Sequence, residues 1–177
     1  MTLGATLALA GAALAILLAG TGSAIGICRI GSAANGLLSK EPKHFSRLLI
    51  LMLLPSSQGI YGLTVAFMLF VNLGVIGGDV LAISTSMGLA FLFLCLPVGI
   101  IGGISAMVQG NVGVTAVSLY GKQNKMFGNC IIIISASEVF ALFGFLISML
   151  GILFLDLSMF VPYSEYVPQA TGILGIV

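Results

Sequence analysis

Charged residues are scarce in this sequence, which has only six basic and five acidic side chains among 177 residues. They make up 6% of the chain, whereas a typical water-soluble domain has about 25%. Hydrophobic residues make up 59% of the chain, and the mean hydropathy is +1.24. This balance excludes a water-soluble globular domain and predicts a protein of the lipid bilayer.

Ligands for soft metals and nucleotide-binding motifs are lacking as well. The single histidine, His44, lies in a polar connection, and the three cysteines have no metal-ligand spacing, so the sequence gives no support for a zinc or copper site. The phosphate-binding pattern GxxxxGK[ST] does not occur, which gives no support for ATP hydrolysis by this chain. We expect no catalytic role for this chain and no nucleic-acid partner.

Four long apolar stretches dominate the sequence, and each exceeds the roughly 20 residues that a helix needs to span the hydrocarbon core. Backbone polar groups in lipid must pair within the chain, which leaves helices or a closed barrel. The runs lack the two-residue alternation of barrel strands. We predict an all-α membrane protein with four transmembrane helices, at about 3–38, 45–75, 80–120 and 126–155.

The chain also contains an internal repeat. Shifted by 82 positions without a gap, "GTGSAIGICRIGSAANGLLSKEPKHF" lies over "GGISAMVQGNVGVTAVSLYGKQNKMF", and nine positions from Gly20 to Phe45 meet identical residues, Ser23 among them. Two helices separate the copies, so the halves run parallel, unlike the inverted halves of many secondary transporters. The sequence thus predicts two tandem helical hairpins, residues 1–78 and 79–157, followed by an outward-facing tail, 158–177.

Helices 1 and 3 are rich in small residues, including Gly22-x-x-x-Gly26 and Gly99-x-x-x-Gly103. Small residues let helix backbones approach closely in membranes. Many copies at the same level would form a tight inner layer of helices 1 and 3, with the bulkier helices 2 and 4 outside. Ordinary packing within one bundle is the alternative.

The basic residues predict the orientation in the membrane. Lys40, Lys43 and Arg47 lie in or beside the first connection, and Lys122 and Lys125 lie in the third. Because basic residues near membrane segments mark the cytoplasmic side, loops 39–47 and 121–127 are predicted to be cytoplasmic. Both termini and the middle connection are predicted to lie on the opposite side.

One carboxylate interrupts the last apolar run, in "IIIISASEVFALFGF". An ionised group at the centre of a bilayer costs from about 3 to over 10 kcal/mol, so Glu138 is a candidate functional residue. Gln109 precedes Lys122 by the same interval by which Glu138 follows Lys125. At about 1.5 Å per residue, this interval places both side chains about 20 Å from the same side of the membrane. Gln58 follows Lys43 by a similar interval and lies close to this depth.

Helix 2 adds a polar face in "LPSSQGIYG", where Leu54, Ser57, Gln58 and Tyr61 have helical spacings of 3, 4 and 7. Pro55 lacks an N–H and leaves a carbonyl one turn earlier without its usual partner. Oxygen ligands with a single negative charge suit a hard monovalent cation. The alternative is that the amides and hydroxyl only link helices by hydrogen bonds.

The chain resembles the proteolipid of the V-type ATPases, a duplicated four-helix protein known as subunit K in bacteria and subunit c in eukaryotes. The most specific parts of the resemblance are the stretches "LPSSQGIYG" in helix 2 and "SEVFALFG" in helix 4. The resemblance implies a ring of copies that turns in the membrane while a separate soluble head hydrolyses ATP. It also implies one ion per copy, held on the helix 4 carboxylate and exchanged at a membrane stator subunit. The implied partners are further copies, the stator, a central-stalk subunit at the cytoplasmic loops, and lipid.

The sodium-translocating branch of this family has more polar ligands at its ion site than the proton-translocating branch. The resemblance implies that the ligand positions here are Leu54, Ser57, Gln58, Gln109 and Glu138. It also implies that Tyr61 is the tyrosine that hydrogen-bonds the glutamate. The departure is Ser57, where the best-known sodium sites have threonine. The resemblance therefore implies Na⁺ as the carried ion, with H⁺ as the alternative. An independent small cation/proton exporter or a pore-forming assembly stays a further alternative, although the parallel duplication disfavours an inverted-repeat exporter.

Overall fold

The computed structural model describes residues 2–78 and 80–155, and its elements there are helices and turns. The four spans are α1 (Leu3–Leu38), α2 with α3 (Phe45–Leu53 and Ser57–Asn72), α4 (Thr85–Lys122), and α5 with α6 (Phe127–Ser135 and Glu138–Phe154). Each span is long and apolar enough to cross a bilayer, which confirms the four predicted helices and makes the chain an integral membrane protein. The predicted tail, 158–177, lies outside the described residues.

Side-chain caps set where the long helices begin. The Thr2 Oγ1 accepts a hydrogen bond from the Ala5 backbone N–H at 3.3 Å, and the Ser84 Oγ accepts one from the Met87 N–H at 3.3 Å. Such caps satisfy backbone donors that have no partner within the helix. The third span therefore begins at Thr85 and not near the predicted residue 80. The second span ends at Asn72, before the predicted residue 75.

The second and fourth spans are interrupted at the same position of the repeat. A 3₁₀ turn at Leu54–Ser56 separates α2 from α3, and a turn at residues 136–137 separates α5 from α6. Pro55 accounts for the first interruption, because it cannot donate to the helix. At the second, Ser137 holds the repeat position equivalent to Pro55.

Helices α1 and α4 run parallel in close contact. A Cβ added to Gly110 would lie 2.5 Å from the Gly26 Cα, and one added to Gly22 would lie 2.5 Å from the Gly103 Cα. Any larger side chain at these contacts would force the backbones apart. The close approach predicted for helices 1 and 3 is thus confirmed, although Gly102, whose added Cβ would lie 3.6 Å from the Ala19 Cβ, has ordinary room.

Two apolar clusters fill the bundle on either side of a polar level. The first cluster lies toward the N-terminus of α1 and contains Val65, Leu69, Met87 and Phe91. The second cluster lies toward the C-terminal end of α4 and contains residues such as Ile30, Leu51, Tyr120 and Ile134. Buried Gln58 and Gln109 fall between them along the helices. The fold therefore holds its buried amides between two apolar layers.

Contacts at the two ends show which connections lie together. The His44 Nδ1 lies 2.6 Å from the Tyr120 hydroxyl, which joins the first connection to the end of α4. At the other end, the Thr2 hydroxyl donates to the Ile83 carbonyl at 3.0 Å. The two basic connections thus share one end of the bundle, and the N-terminus and the middle connection share the other.

Candidate ion-binding site

A hydrogen-bonded chain of polar side chains joins α3 to α4 in the middle of the bundle. The Gln58 Nε2 donates to the Gln109 Oε1 at 2.8 Å, and both side chains are fully buried. The Ser57 hydroxyl lies 3.3 Å from the Gln58 Oε1 and 3.2 Å from the Leu54 carbonyl oxygen. Four of the six predicted site residues therefore lie in one connected group.

The remaining two predicted residues form a second pair beside this group. Glu138 is the first residue of α6, and its Oε1 accepts a hydrogen bond from the Tyr61 hydroxyl at 2.7 Å. The Tyr61 ring stacks on Phe145, with ring centroids 5.0 Å apart. The phenol thus fixes the carboxylate of α6 against α3.

A serine on α4, Ser105, holds the start of α6 close to the depth of the buried amides. The Ser105 hydroxyl donates to the Ser137 carbonyl at 2.7 Å, immediately before Glu138. Ser105 and Gln109 are four residues apart on α4, which is about one helical turn. The amide group and the carboxylate therefore lie within about one turn of each other along the bundle.

Sequence reasoning did not assign a role to Ser105 or to its repeat partner Ser23. The Ser23 hydroxyl accepts a hydrogen bond from the Gly59 N–H at 2.8 Å, one helical turn after Pro55. Each serine thus satisfies a backbone group at the interruption of its own hairpin. The available signal was their identity in the repeat alignment, in a pair of helices where most other matching positions are glycine or alanine.

The site has one buried donor without a partner. Among the described residues, the Gln109 Nε2 has no hydrogen-bond acceptor. A buried polar group left unsatisfied costs about 1–3 kcal/mol. Rotation of this amide by half a turn exchanges its nitrogen and oxygen, so the position can present an oxygen instead.

The donor set of the site is oxygen with one carboxylate. The described residues contain no group of three or more His, Cys, Asp or Glu side chains that could hold a metal ion. The oxygens available are the Leu54 carbonyl, the Ser57 hydroxyl, two amide oxygens and the Glu138 carboxylate. A carboxylate with neutral oxygen ligands suits one hard monovalent cation, or the carboxylate can take up a proton.

The first hairpin lacks an equivalent site. Ser56 stands at the repeat position of Glu138 and donates to the Leu53 carbonyl of its own span at 2.6 Å. The positions equivalent to Gln58 and Gln109 are Phe140 and Ile27, both apolar. The four described spans therefore contain one such carboxylate site.

Comparison with known families gives two matches within the chain. The sequence profile of the ATP synthase C-subunit family matches residues 10–69 and again residues 92–151. The two matches are offset by the same shift that aligns the internal repeat. The two hairpins are therefore each one unit of this family.

Curated relatives match both halves together. The chain is 38% identical to the K subunit of the V-type sodium ATPase of Enterococcus hirae over 141 residues, which cover 80% of this chain and 86% of the relative. It is 32% identical to the c' subunit of the V-type proton ATPase of Candida glabrata, over 80% of this chain and 84% of the relative. It is 31% identical to the K subunit of the A-type ATP synthase of Methanocaldococcus jannaschii, over 79% of this chain and 59% of the relative.

Proposed function

Because the chain belongs to the ATP synthase C-subunit family, as a duplicated, non-catalytic rotor proteolipid of the V- and A-type ATPases, we propose that it carries one Na⁺ per copy on Glu138. The ligands of the ion are the oxygens of Leu54, Ser57, Gln58, Gln109 and Glu138. Tyr61 holds the carboxylate in place.

The observation that carries this proposal is the buried amide pair beside the carboxylate. A proton carrier needs only a carboxyl group, whereas this site also has two fully buried amides joined at 2.8 Å, and among the described residues the Gln109 Nε2 has no acceptor, which is costly in an apolar bundle. The sodium-ATPase subunit of Enterococcus hirae is also a relative of the chain along most of its length. Both observations favour Na⁺ over H⁺.

The mechanism follows from the charge of Glu138. A bound cation neutralises the carboxylate, so a loaded copy can face lipid without exposing a charge. An empty, ionised carboxylate would carry the full cost of a charge in lipid, so it stays where a basic residue of the stator is able to pair with it. The charge state therefore decides which copies may leave the stator as the ring turns.

The partners follow from the same assignment. The ring consists of further copies of the chain, and the stator lies against the α6 side of the copy that is exchanging its ion. Loops 39–47 and 121–127, which lie at one end of the bundle, face the cytoplasm and contact the central stalk. Both termini lie on the opposite side of the membrane.

Proton transport is the second candidate, and one observation favours it specifically. The c' subunit of the proton ATPase of Candida glabrata is 32% identical to the chain over 80% of this chain's length. In a proton carrier, the Tyr61 hydroxyl would donate its hydrogen bond to the Glu138 carboxylate whenever that carboxylate is not protonated. The buried amides would then serve only to join α3 to α4.

Carbodiimide labelling of the purified ring tests the choice of ion, because the reagent modifies a protonated carboxyl group. We expect Na⁺ to slow modification of Glu138 at fixed pH, since the cation displaces the proton. Gln109→Leu should raise the Na⁺ concentration for half-maximal protection at least about tenfold, because one ligand oxygen is worth about 1.5 kcal/mol or more.

Gln123→Leu is the matched control, since Gln123 lies in the connection after α4 and should leave protection unchanged. Protection by raised pH alone, with no effect of Na⁺ at any pH, would refute the sodium proposal and support the proton carrier. Modification at a residue other than Glu138 would refute both.

A further inference from the structure

Arg29 is a charged residue within a membrane span, and the proposed function gives it no role. It lies about 16 Å from Lys40 along α1, at about 1.5 Å per residue, and it is exposed within the chain. The Arg29 Nη1 donates to the Asn111 Oδ1 at 2.8 Å and to the Met107 carbonyl oxygen at 3.2 Å. Both acceptors belong to α4 at the depth of Arg29 or deeper, so the guanidinium does not extend toward Lys40.

The guanidinium has no counter-charge among the described residues. The salt bridges there are those of Lys43 and His44 with Glu41, in the first connection. Both acceptors of Arg29 are uncharged. A charge within a span is costly and commonly pairs with an opposite charge, and a guanidinium has five N–H donors. The side chain is therefore suited to bind an anion from outside the chain.

Arg29 and Asn111 face away from the second and fourth spans. Ser23 of α1 bonds the second span, and Ser105 of α4 bonds the Ser137 carbonyl of the fourth. Arg29 and Asn111 each follow the serine of their own helix by the same six residues. At about 100° per residue, this interval places them about 120° around the helix from it. In a ring with α1 and α4 inside, both line the central opening, and we call this side the inner surface.

The exposed residues of the inner helices change from apolar to polar at this depth. The exposed residues of α4 before Asn111 are apolar over two-thirds of the helix: Leu89, Phe93, Ile100, Ile101, Ile104 and Val108. From Asn111 to the end of the helix they are polar: Asn111, Thr115, Ser118 and Lys122. On α1, the exposed residues that follow Arg29 in the helix are Ser32, Asn35 and Gly36. The inner surface thus becomes polar at Arg29 and Asn111.

The outer surface is still apolar at the same depth. A Cβ added to Gly31 would lie 3.1 Å from the Met52 Sδ, which places Met52 beside the turn of α1 that contains Arg29. Its neighbours Ile50 and Leu53 are 48% and 47% exposed. The apolar zone therefore reaches closer to the basic connections on the outer surface than on the inner one.

We propose that Arg29 and Asn111 bind the phosphate of an anionic phospholipid in the central opening of the ring. The proposal rests on the ring assembly in the proposed function and does not depend on the ion carried. The apolar residues before Asn111 suit acyl chains and the polar residues after it suit a headgroup, so the phosphate lies at the boundary. The Asn111 Oδ1 accepts from Arg29, which leaves the Asn111 amide N–H groups to donate to the same phosphate as the guanidinium.

The positive charge of the site selects the class of lipid. Every copy adds one guanidinium at the same depth around one opening, and these like charges repel. A zwitterionic phospholipid brings its own ammonium group and leaves the total charge unchanged. A lipid with a net negative headgroup neutralises one guanidinium, so the site prefers it.

Mass spectrometry of the lipids retained by purified rings tests this preference. The rings assemble in membranes that contain phosphatidylglycerol and phosphatidylethanolamine, and detergent washing removes the outer lipid. We expect Arg29→Met to lower the retained ratio of the first lipid to the second at least about tenfold, because a hydrogen bond to a charged group contributes about that factor or more. Arg47→Met is the matched control, since it removes an equal charge from α2, where the Arg47 guanidinium lies over the Phe127 ring. An unchanged ratio in Arg29→Met, or an equal fall in Arg47→Met, would overturn the proposal.

The contact itself is measurable in rings that keep every charge, which covers a failure of Arg29→Met to assemble. Arg29 and Arg47 are the only arginines of the chain, so Arg47→Lys leaves one guanidinium to label with carbon-13. We expect solid-state NMR in phosphate-free buffer to show dipolar coupling of the Arg29 Cζ to lipid phosphorus, with or without Na⁺, so that failure of the sodium proposal is distinct. Arg29→Lys, with label at Arg47 alone, should lack this coupling after washing. Absence of the coupling from Arg47→Lys rings, or its appearance only after inorganic phosphate is added, would overturn the lipid site.

Discussion

At the scale of the residue, Glu138 is the proposed ion carrier and lies at a position where lipid penalises charge. Glu138→Gln should fold and assemble, since an amide is nearly isosteric and cheaper to bury than a carboxylate. The variant should lose Na⁺ binding, coupled transport and carbodiimide modification together. Sodium-22 binding to purified rings measures the first effect. Glu41→Gln, in the exposed first connection, is the control, and retained sodium binding in Glu138→Gln would contradict the assignment.

Tyr61 tests the geometry of the carboxylate separately from its charge. Tyr61→Phe removes the 2.7 Å hydrogen bond and keeps the stacking on Phe145. A hydrogen bond to a charged group is worth about 1.5–3 kcal/mol, so the Na⁺ concentration for half-maximal carbodiimide protection should rise about tenfold or more. Thr64→Val, whose hydroxyl bonds the Ile60 carbonyl on the same helix, should leave it unchanged. Equal protection in all three proteins would count against a role for Tyr61.

At the scale of the element, the interruptions in the second and fourth spans position the site. Ser105→Ala removes the hydrogen bond to the Ser137 carbonyl, so the first turn of α6 loses its tie to α4. We expect the melting temperature of the ring to fall, by the equivalent of about 0.5–1.5 kcal/mol per copy, together with weaker Na⁺ protection. Ser118→Ala, whose hydroxyl bonds its own helix at Val114, should change neither. Weakened stability with unchanged Na⁺ protection would show that Ser105 only stabilises the bundle.

The first connection carries a pH-dependent contact. The hydrogen bond from Lys43, followed by that from His44, lowers the pKa of Glu41 below its ordinary value of 4.5. Because the folded-state pKa is depressed, the contact is fully present above the ordinary value and is lost as the pH falls through the lowered one. Lys43→Ala should raise the midpoint of the Glu41 titration, measured by carbonyl NMR of labelled glutamate. Lys40→Ala is the control, and an unmoved midpoint in Lys43→Ala would contradict this account.

Sequence patterns were sufficient to predict the four membrane spans, but they were not sufficient to predict the side-chain contacts of the candidate site. Long apolar runs specify the spans, because lipid allows few alternatives, and the predicted residues Gln58, Gln109 and Glu138 do lie near one level. The start of α4 at Thr85 was missed because Val80 and Leu81 continue the apolar pattern and only the Ser84 cap ends it. The role of Ser105 was missed because its partner is a backbone carbonyl on another span, which no side-chain pattern records.

At the scale of the whole molecule, we expect the closeness of α1 and α4 to limit the radius of the assembly. Gly110→Ala places a methyl group 2.5 Å from the Gly26 Cα, so the helices must separate. Overpacking of this kind costs about 1–3 kcal/mol, and the variant should give rings of lower thermal stability or altered size by electron microscopy. Gly128→Ala, where an added Cβ meets nothing within 4 Å, is the control. Normal rings from Gly110→Ala would show that the contact is not a constraint.

Ser56, which holds in the first hairpin the repeat position of Glu138, has a consequence for the number of ions that a turn of the proposed ring would carry. A ring with a given number of hairpins carries half as many ions per turn as one with a carboxylate on every hairpin. If each ATP turns the ring through a fixed angle, half as many ions share the free energy of that ATP. Each ion can then be driven against a gradient up to twice as steep. With one carboxylate for every two hairpins, the proposed ring would move fewer ions per turn, each against a larger electrochemical gradient.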